Sequence, residues 1–270
     1  MFTTFLIEEN ILSEVSFSNY QVPFNLFYTI IEGKDPIALK AMEANAIALQ
    51  NPGKPMWLWI NETLKQSSID NIINSLCNQL KESKLCGISG KPEFVKIFAE
   101  EYSKMLGISY GVSLSMEAYH CTKVINPDYV QGKLIVANLT HKDIVAGFCV
   151  GFVFWCFGAT ISIESQVESS ETMINSGNLF LWEVNGEICA MINIAHRSEQ
   201  YARINDVYTS PEQRGNGYAS KMVGELSSML IKEGLIPMLY ADTKNATSNH
   251  VYKSIGFKKS GRIDDIVFNY

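Results

Sequence analysis

No two of the six cysteines form a C-x-x-C pair; Cys77, Cys86, Cys121, Cys149, Cys156 and Cys189 lie far apart. Zinc sites and disulfide frameworks need close, patterned spacing, so neither is expected, and the six read as buried free thiols of a reducing compartment. Basic charge is also short. The 22 Lys and Arg face 28 Asp and Glu, for a net charge of −6, which argues against a protein that coats nucleic acid or anionic lipid. The first residues, MFTTFLIEENILSE, lack a basic n-region and reach Glu8 early, so a secretory signal is not expected. These features together favour the cytoplasm. A hydrophobic content of 47% with 19% charged residues excludes a disordered chain.

One long hydrophobic run is present. Ile144 to Ile163 spans 20 residues without a charge and contains Gly147-x-x-x-Gly151, enough by length to cross a bilayer. Its flanks carry Lys142, Asp143 and Glu164 but no polybasic anchor. The expectation is a buried helix ending near Gly158, sandwiched between layers of protein.

Along the chain, Phe2–Leu12 reads as a helix, and so does the Ala-rich stretch from Ala41, stopped by Asn51-Pro52-Gly53. Met56–Ile60 reads as a strand. Apolar residues at Ile69, Ile72, Ile73, Leu76 and Leu80 predict a helix. LCGIS is a strand, KPEFVKIFAEEYSKMLG a helix with Pro near its start and Gly at its end, and SLSMEAYHCTKVI a strand. Punctuation at Pro127–Gly132 suggests a domain boundary, giving units 1–127 and 128–270. Beyond it come a strand (KLIVANL), the apolar helix, a polar helix or loop, and an Asn-Gly hairpin over Asn178–Ala195. Strand YARINDVYTS, helix NGYASKMVGELSSMLIKEG, strand IPMLYA, helix ATSNHVYKSIG and a final strand or hairpin follow. This is an α/β pattern. The order of elements in the second half echoes the first, which suggests a degenerate internal duplication.

Two glycines and an arginine stand between the strand YARINDVYTS and the helix after it, in SPEQRGNGYAS. A dinucleotide loop needs a third glycine where Ser220 stands, and a Walker loop needs Gly-Lys-Ser/Thr, where this chain reads Ser220-Lys221. Small residues here let successive backbone N–H groups face one concavity at a helix N-terminus, which suits a pyrophosphate.

Arg214-x-x-Gly217-x-Ala219 resembles the R/Q-x-x-G-x-G/A signature of the GNAT superfamily of N-acetyltransferases. Downstream, NATSNHVYKSIGF is similar to the element that closes GNAT domains, with Asn245, Ser248, Val251, Tyr252, Gly256 and Phe257 on its pattern. The resemblance covers roughly the last 135 residues. Its wording is closest to the glycine-N-acyltransferase-like branch. It implies a C-terminal GNAT fold, a mixed, mostly antiparallel sheet flanked by helices, preceded by a smaller α/β domain that reads as a degenerate GNAT repeat.

The resemblance also implies acetyl-CoA or another acyl-CoA as donor, no metal, and direct transfer to a primary amine on a small molecule, peptide or protein. By position, Val207, Tyr208 and Thr209 would pair with the pantetheine arm. The segment Arg214, Gly215, Asn216, Gly217, Tyr218, Ala219 and Ser220 would hold the pyrophosphate, with Asn245 and Ser248 further along the cofactor. Tyr252 would protonate the leaving thiolate as general acid. Many relatives place a glutamate base where this chain has Arg203, so the base falls to Asp206, Glu183 or His196, or to a relay of water. Strand alternation puts Asp206 on the opposite face from Arg203. A non-catalytic acyl-CoA-binding or scaffold protein is the alternative. Acceptor loops are expected around Glu164–Gly177 and His196–Tyr201. Neither membrane nor nucleic acid is expected as a partner, and monomer and homodimer both stay open.

Overall fold

The computed structural model describes residues 2–5, 11–13, 16–41, 44–127 and 129–270. In chain order the strands and helices are β1 (Phe2–Thr4), α1 (Leu26–Ile31), β2 (Ile37–Ala41), β3 (Ala46–Gln50), β4 (Met56–Ile60), α2 (Gln66–Leu80), β5 (Gly87–Gly90), α3 (Pro92–Leu106) and β6 (Ser109–His120). Then come β7 (Lys133–Val136), α4 (Lys142–Phe157), α5 (Glu164–Asn175), β8 (Leu179–Val184), β9 (Glu187–Arg197), β10 (Tyr201–Thr209), α6 (Tyr218–Lys232), β11 (Ile236–Asp242), α7 (Ala246–Ile255) and β12 (Lys258–Asn269).

The chain divides into two compact units, Met1–Tyr119 with Ala241–Asn245 and Lys259–Tyr270, and His120–Tyr240 with Ala246–Lys258. The linear expectation of units 1–127 and 128–270 differs from this division. The C-terminal strand β12 pairs antiparallel with β5, from Asp264 opposite Gly90 to Val267 opposite Gly87, so the last residues join the first unit. A boundary read from punctuation cannot register a strand that returns from the far end of the sequence.

In the first unit β1, β2, β3 and β4 pair antiparallel in sequence order and β4 pairs parallel with β5. The parallel step needs a crossover, and α2 provides it. Its stripe of Ile69, Ile73, Leu76 and Leu80 joins Phe94, Val95, Phe98 and Tyr102 of α3 in one core. A separate aromatic cluster forms around Trp59, with Phe17 edge-on to it at 5.2 Å and stacked on Phe27 at 5.6 Å.

Two helix expectations fail in this unit. Phe2–Thr4 is a strand paired with Leu39–Ala41, and the rest of that prediction falls partly on residues 6–10, outside the described residues. The stretch expected as a helix from Ala41 contains β3, whose five residues AIALQ are all buried between β2 and β4. Alanine favours helix when a segment stands alone. A five-residue run buried on both faces of a sheet overrides that preference.

In the second unit β7, β8, β9 and β10 pair antiparallel in turn and β10 pairs parallel with β11. Helix α6 makes the crossover. One face of this sheet carries α4 and α5, with Val145, Phe148, Cys149 and Ile174 against Leu179, Leu181, Met191 and Tyr208. Alternation turns Phe180 and Trp182 to the other face, where Trp182 meets Tyr218 at the start of α6 with ring centroids 6.4 Å apart. Full burial of such a side chain contributes about 1.5–3 kcal/mol.

Helix α4 ends at Phe157, with Gly158 in the left-handed conformation, near the boundary expected. It is not sandwiched. Val145, Ala146, Phe148 and Cys149 are buried, whereas Phe154, Trp155 and Phe157 are exposed. With the short helical turn before it, the stretch Leu139–Phe157 is long and apolar enough to cross a membrane by length and composition, yet the first half of α4 is committed to this core. Gly151 has a packing reason: a Cβ there would collide with the Tyr208 phenol, whose ring lies 5.4 Å from that of Phe148. Gly151→Ala is expected to destabilise the second unit by about 1–3 kcal/mol through overpacking, read as a lowered midpoint in thermal or urea unfolding. An unchanged midpoint would remove this reading of the contact.

Candidate functional site around the β10 bulge

Strand β10 keeps two partners for only part of its length. Against β11 the parallel register covers Tyr201–Ile204, opposite Ile236–Leu239, and stops there, although both strands continue. Against β9 the pairing runs on to Thr209 but slips twice, between Arg203 and Ile204 and between Asn205 and Tyr208. The second slip is a bulge. It carries Asp206 at φ +49°, a left-handed conformation that Asp tolerates better than most residues. From Asn205 onward the β10 backbone is out of the ladder with β11, so an extended ligand could pair along that edge, up to the Thr209 carbonyl that Arg214 already occupies.

The bulge removes the premise behind the expected face of Asp206. Alternation holds only for an unbroken strand, and the extra residue resets the count. Asn205 and Tyr208 both pair across to β9, opposite Asn193 and Met191, and Asn193 donates to the Asn205 side-chain oxygen at 2.9 Å. Asp206 lies close enough to Arg203 for their charges to act on each other. Burial pushes the Asp206 carboxyl up to about 6, with Arg203 opposing the rise. Burial likewise lowers the Arg203 pKa, countered by Tyr240 and by Asp206.

The other two base candidates stand elsewhere. Glu183 is on β8, with β9 between it and β10, and its carboxylate accepts from Lys133 at 3.0 Å. His196 faces Arg203 across the β9–β10 pair. Neither shares the bulge with Asp206.

After β10 the chain makes a short turn and enters α6 through Gly215 at φ +84° and Gly217 at φ +79°. Both are left-handed, which is the physical requirement for glycine at these positions. Gly217 caps the helix, and the first intrahelical bond runs from the Lys221 N–H to its carbonyl. The N–H groups of Tyr218, Ala219 and Ser220 are therefore left to whatever occupies the helix N-terminus. Asn216 donates to the Gln213 carbonyl at 3.1 Å and braces the turn.

Arg214 does more than stand at a rim. Its Nε donates to the Thr209 carbonyl at 3.2 Å, and its guanidinium lies 4.2 Å from the Trp155 ring centroid and 5.9 Å from that of Tyr208. The cation–π contact ties the glycine turn to the end of α4. Sequence reasoning missed it because Trp155 and Arg214 are 59 positions apart and nothing local marks the pair.

Tyr252 lies on α7, 7% exposed, with its ring 6.0 Å from that of Phe257. Burial raises its pKa and the Cys156 thiol of α4 raises it further, so the phenol keeps its proton across the neutral range. Ser248 is half-buried on the same helix. Asn245 precedes α7, is exposed, and groups with the first unit; its N–H donates to the Asp242 carbonyl at 3.0 Å.

Residues 154–257 match the family model described as Acetyltransferase (GNAT) family. An acetyltransferase of the GNAT family from Colwellia psychrerythraea superposes with a TM-score of 0.60 at 14% identity, over 100% of this chain and 99% of that one. A Drosophila protein gives 0.61 at 10% identity, over 93% of this chain and 87% of the other. The fold is the GNAT fold. Both superpositions run through the N-terminal half of the chain as well. Among curated proteins, a UPF0039 protein of Schizosaccharomyces pombe is 27% identical over 92 residues, which cover 34% of this chain and 61% of that protein. The chain thus spans about three-fifths of that relative.

The raised pKa of Asp206 sets a stability prediction. The folded protein holds this proton more tightly than the unfolded chain, whose reference value is 3.8. Ionising Asp206 above pH 6 therefore costs folding free energy, and the cost disappears as pH falls toward 4. Asp206→Asn is expected to stabilise the protein at pH 7.5 by about 1–3 kcal/mol, and to change nothing at about pH 4. Urea unfolding at the two pH values checks this; a variant less stable at pH 7.5 would refute it.

Proposed function

We propose that this protein transfers an acyl group, in the first instance acetyl, from acyl-CoA directly to a primary amine. The observation that carries the reading is the coincidence of two features on one strand–turn–helix segment. The β10 backbone leaves its parallel partner after Ile204, and the helix N-terminus behind Gly215 and Gly217 begins at Tyr218, soon after the end of the same strand at Thr209. An extended amide-bearing arm ending in a pyrophosphate fits both at once. On this reading Val207, Tyr208 and Thr209 offer backbone groups to the pantetheine arm, and residues 215–220 hold the pyrophosphate. The match of residues 154–257 to the acetyltransferase family supports the same donor.

Asp206 is the base this reading prefers over Glu183 and His196. The attacking amine must lose a proton, and a carboxyl that titrates at about 6 is both ionised at neutral pH and basic enough to accept it. The amine nitrogen bonds to the thioester carbonyl carbon, the carbon–sulfur bond breaks, and CoA leaves as a thiolate. Tyr252 donates to that sulfur. A thiol reference pKa of about 8.5 lies below that of a phenol, and burial raises that of Tyr252 further, so Tyr252 acts on the departing thiolate as a hydrogen-bond donor while the proton lost by the amine rests on Asp206.

For the first unit we propose a degenerate copy of the same architecture. Three antiparallel pairings followed by one parallel pairing recur as β1 to β5 and as β7 to β11. The turn between β4 and α2 contains no positive-φ residue, in contrast with Gly215 and Gly217, and this copy is assigned no CoA.

Product formation from acetyl-CoA and a panel of primary amines, followed by mass spectrometry, tests the proposal. The wild-type kcat/KM is expected to rise about tenfold per pH unit up to pH 6 and then level off. Asp206→Asn should lower it by about 10²–10⁴-fold, and Tyr252→Phe should lower kcat by at least roughly tenfold. Unchanged rates in either variant would remove that residue's role. Tight acetyl-CoA binding with no product from any amine would leave the non-catalytic binding protein in its place.

A further inference from the structure

The last turn of α4 presents Phe154 at 51% exposure, Trp155 at 56% and Phe157 at 62%, with Ile163 at 50% just beyond it. Water-facing aromatic residues in one turn are costly for a helix whose first half is buried, and their position ties them to the segments already described. Trp155 stacks under Arg214, the residue before the Gly215 turn. Cys156, between Trp155 and Phe157, is near enough to Tyr252 to act on its phenol. The rim therefore borders the segment assigned to the pyrophosphate through Trp155, and Cys156 in the same turn is the residue that acts on the proposed donor, Tyr252.

We propose that Phe154, Trp155, Phe157 and Ile163 bind the body of the acceptor, and that the acceptor is a primary amine borne on an aromatic or branched aliphatic group. The inference rests on the transfer reading above and adds the substrate class. Residues 144–163 hold no charge, so the rim offers no ion pair to a second amino group or a carboxylate. Arg214, the cation that lies against Trp155, is engaged by that ring and by the Thr209 carbonyl. Size points the same way. Four side chains of this kind expose roughly 400 Å², about half of the ~800 Å² per partner that a stable protein interface buries. A ligand of six to ten carbon atoms matches that surface better than a second protein chain does.

The test uses the full chain and measures binding of 2-phenylethylamine and of ethanolamine by saturation-transfer NMR without acyl-CoA, then turnover with both. Wild type is expected to bind 2-phenylethylamine at least roughly tenfold more tightly than ethanolamine. Phe154→Ser with Phe157→Ser should remove that preference, raising KM for 2-phenylethylamine about tenfold while kcat at saturation stays within about twofold. The single variant Phe157→Ser carries the same comparison if the double variant does not fold. Selective loss of 2-phenylethylamine binding sustains the rim even if no product forms, in which case only the transfer reading fails. Equal binding by wild type and variants overturns the rim whatever the turnover. So does tighter binding of ethanolamine, flotation with phosphatidylcholine–phosphatidylglycerol vesicles that the variants abolish, or a dimer that the variants dissociate.

Discussion

The termination of one parallel pairing governs the site. Had β10 and β11 stayed in register beyond Ile204 and Leu239, the sheet itself would occupy the β11 side of Val207–Thr209, and the ligand pairing proposed there would have no edge to use. The slip between Asn205 and Tyr208 prevents that continuation. It twists the strand, places Asp206 in a left-handed conformation, and frees one edge without destroying the pairing to β9. A bulge of this kind spends backbone hydrogen bonds that a regular sheet would keep, and it persists because β9 on one side and α4 over Tyr208 hold the strand in place.

Two further features depend on that slip. The first is electrostatic: a carboxyl held beside Arg203 in a half-buried position has a proton affinity closer to neutral than a surface aspartate has, because desolvation outweighs the neighbouring positive charge. The second is mechanical. Tyr208, the residue where pairing resumes, sends its ring into α4 against Gly151 and Phe148, while Arg214 spans Thr209, Tyr208 and Trp155. The glycine turn is therefore braced by α4 as well as by the Asn216–Gln213 bond of its own short loop. That bracing leaves the aromatic end of α4 beside the site instead of folded away.

Much of this was legible in the sequence wherever the signal is local. The stripe from Ile69 to Leu80 reported α2, the Pro and Gly at its ends reported α3, and Asn185-Gly186 reported the β8–β9 hairpin. Gly215 and Gly217 marked a strand–helix junction because left-handed backbone at a turn needs glycine whatever surrounds it. Where neighbours decide, the reading failed. The run AIALQ is as compatible with a helix as with a strand until β2 and β4 enclose it. The face of Asp206 depends on a bulge with no residue signature, and the exposure of Phe154, Trp155 and Phe157 depends on how far the sheet extends beneath α4.

The sequence by itself determined the α/β class, the order of elements through the second half, and the glycine turn with its downstream Tyr252, because periodicity, breakers and left-handed positions act over a few residues. Tertiary structure alone decided that the final strand returns to pair with β5, that β10 parts from β11 at Ile204, and that Arg214 rests on Trp155. Each of these is a pairing between segments far apart in the chain, and its free energy comes from contacts that exist only after both have folded.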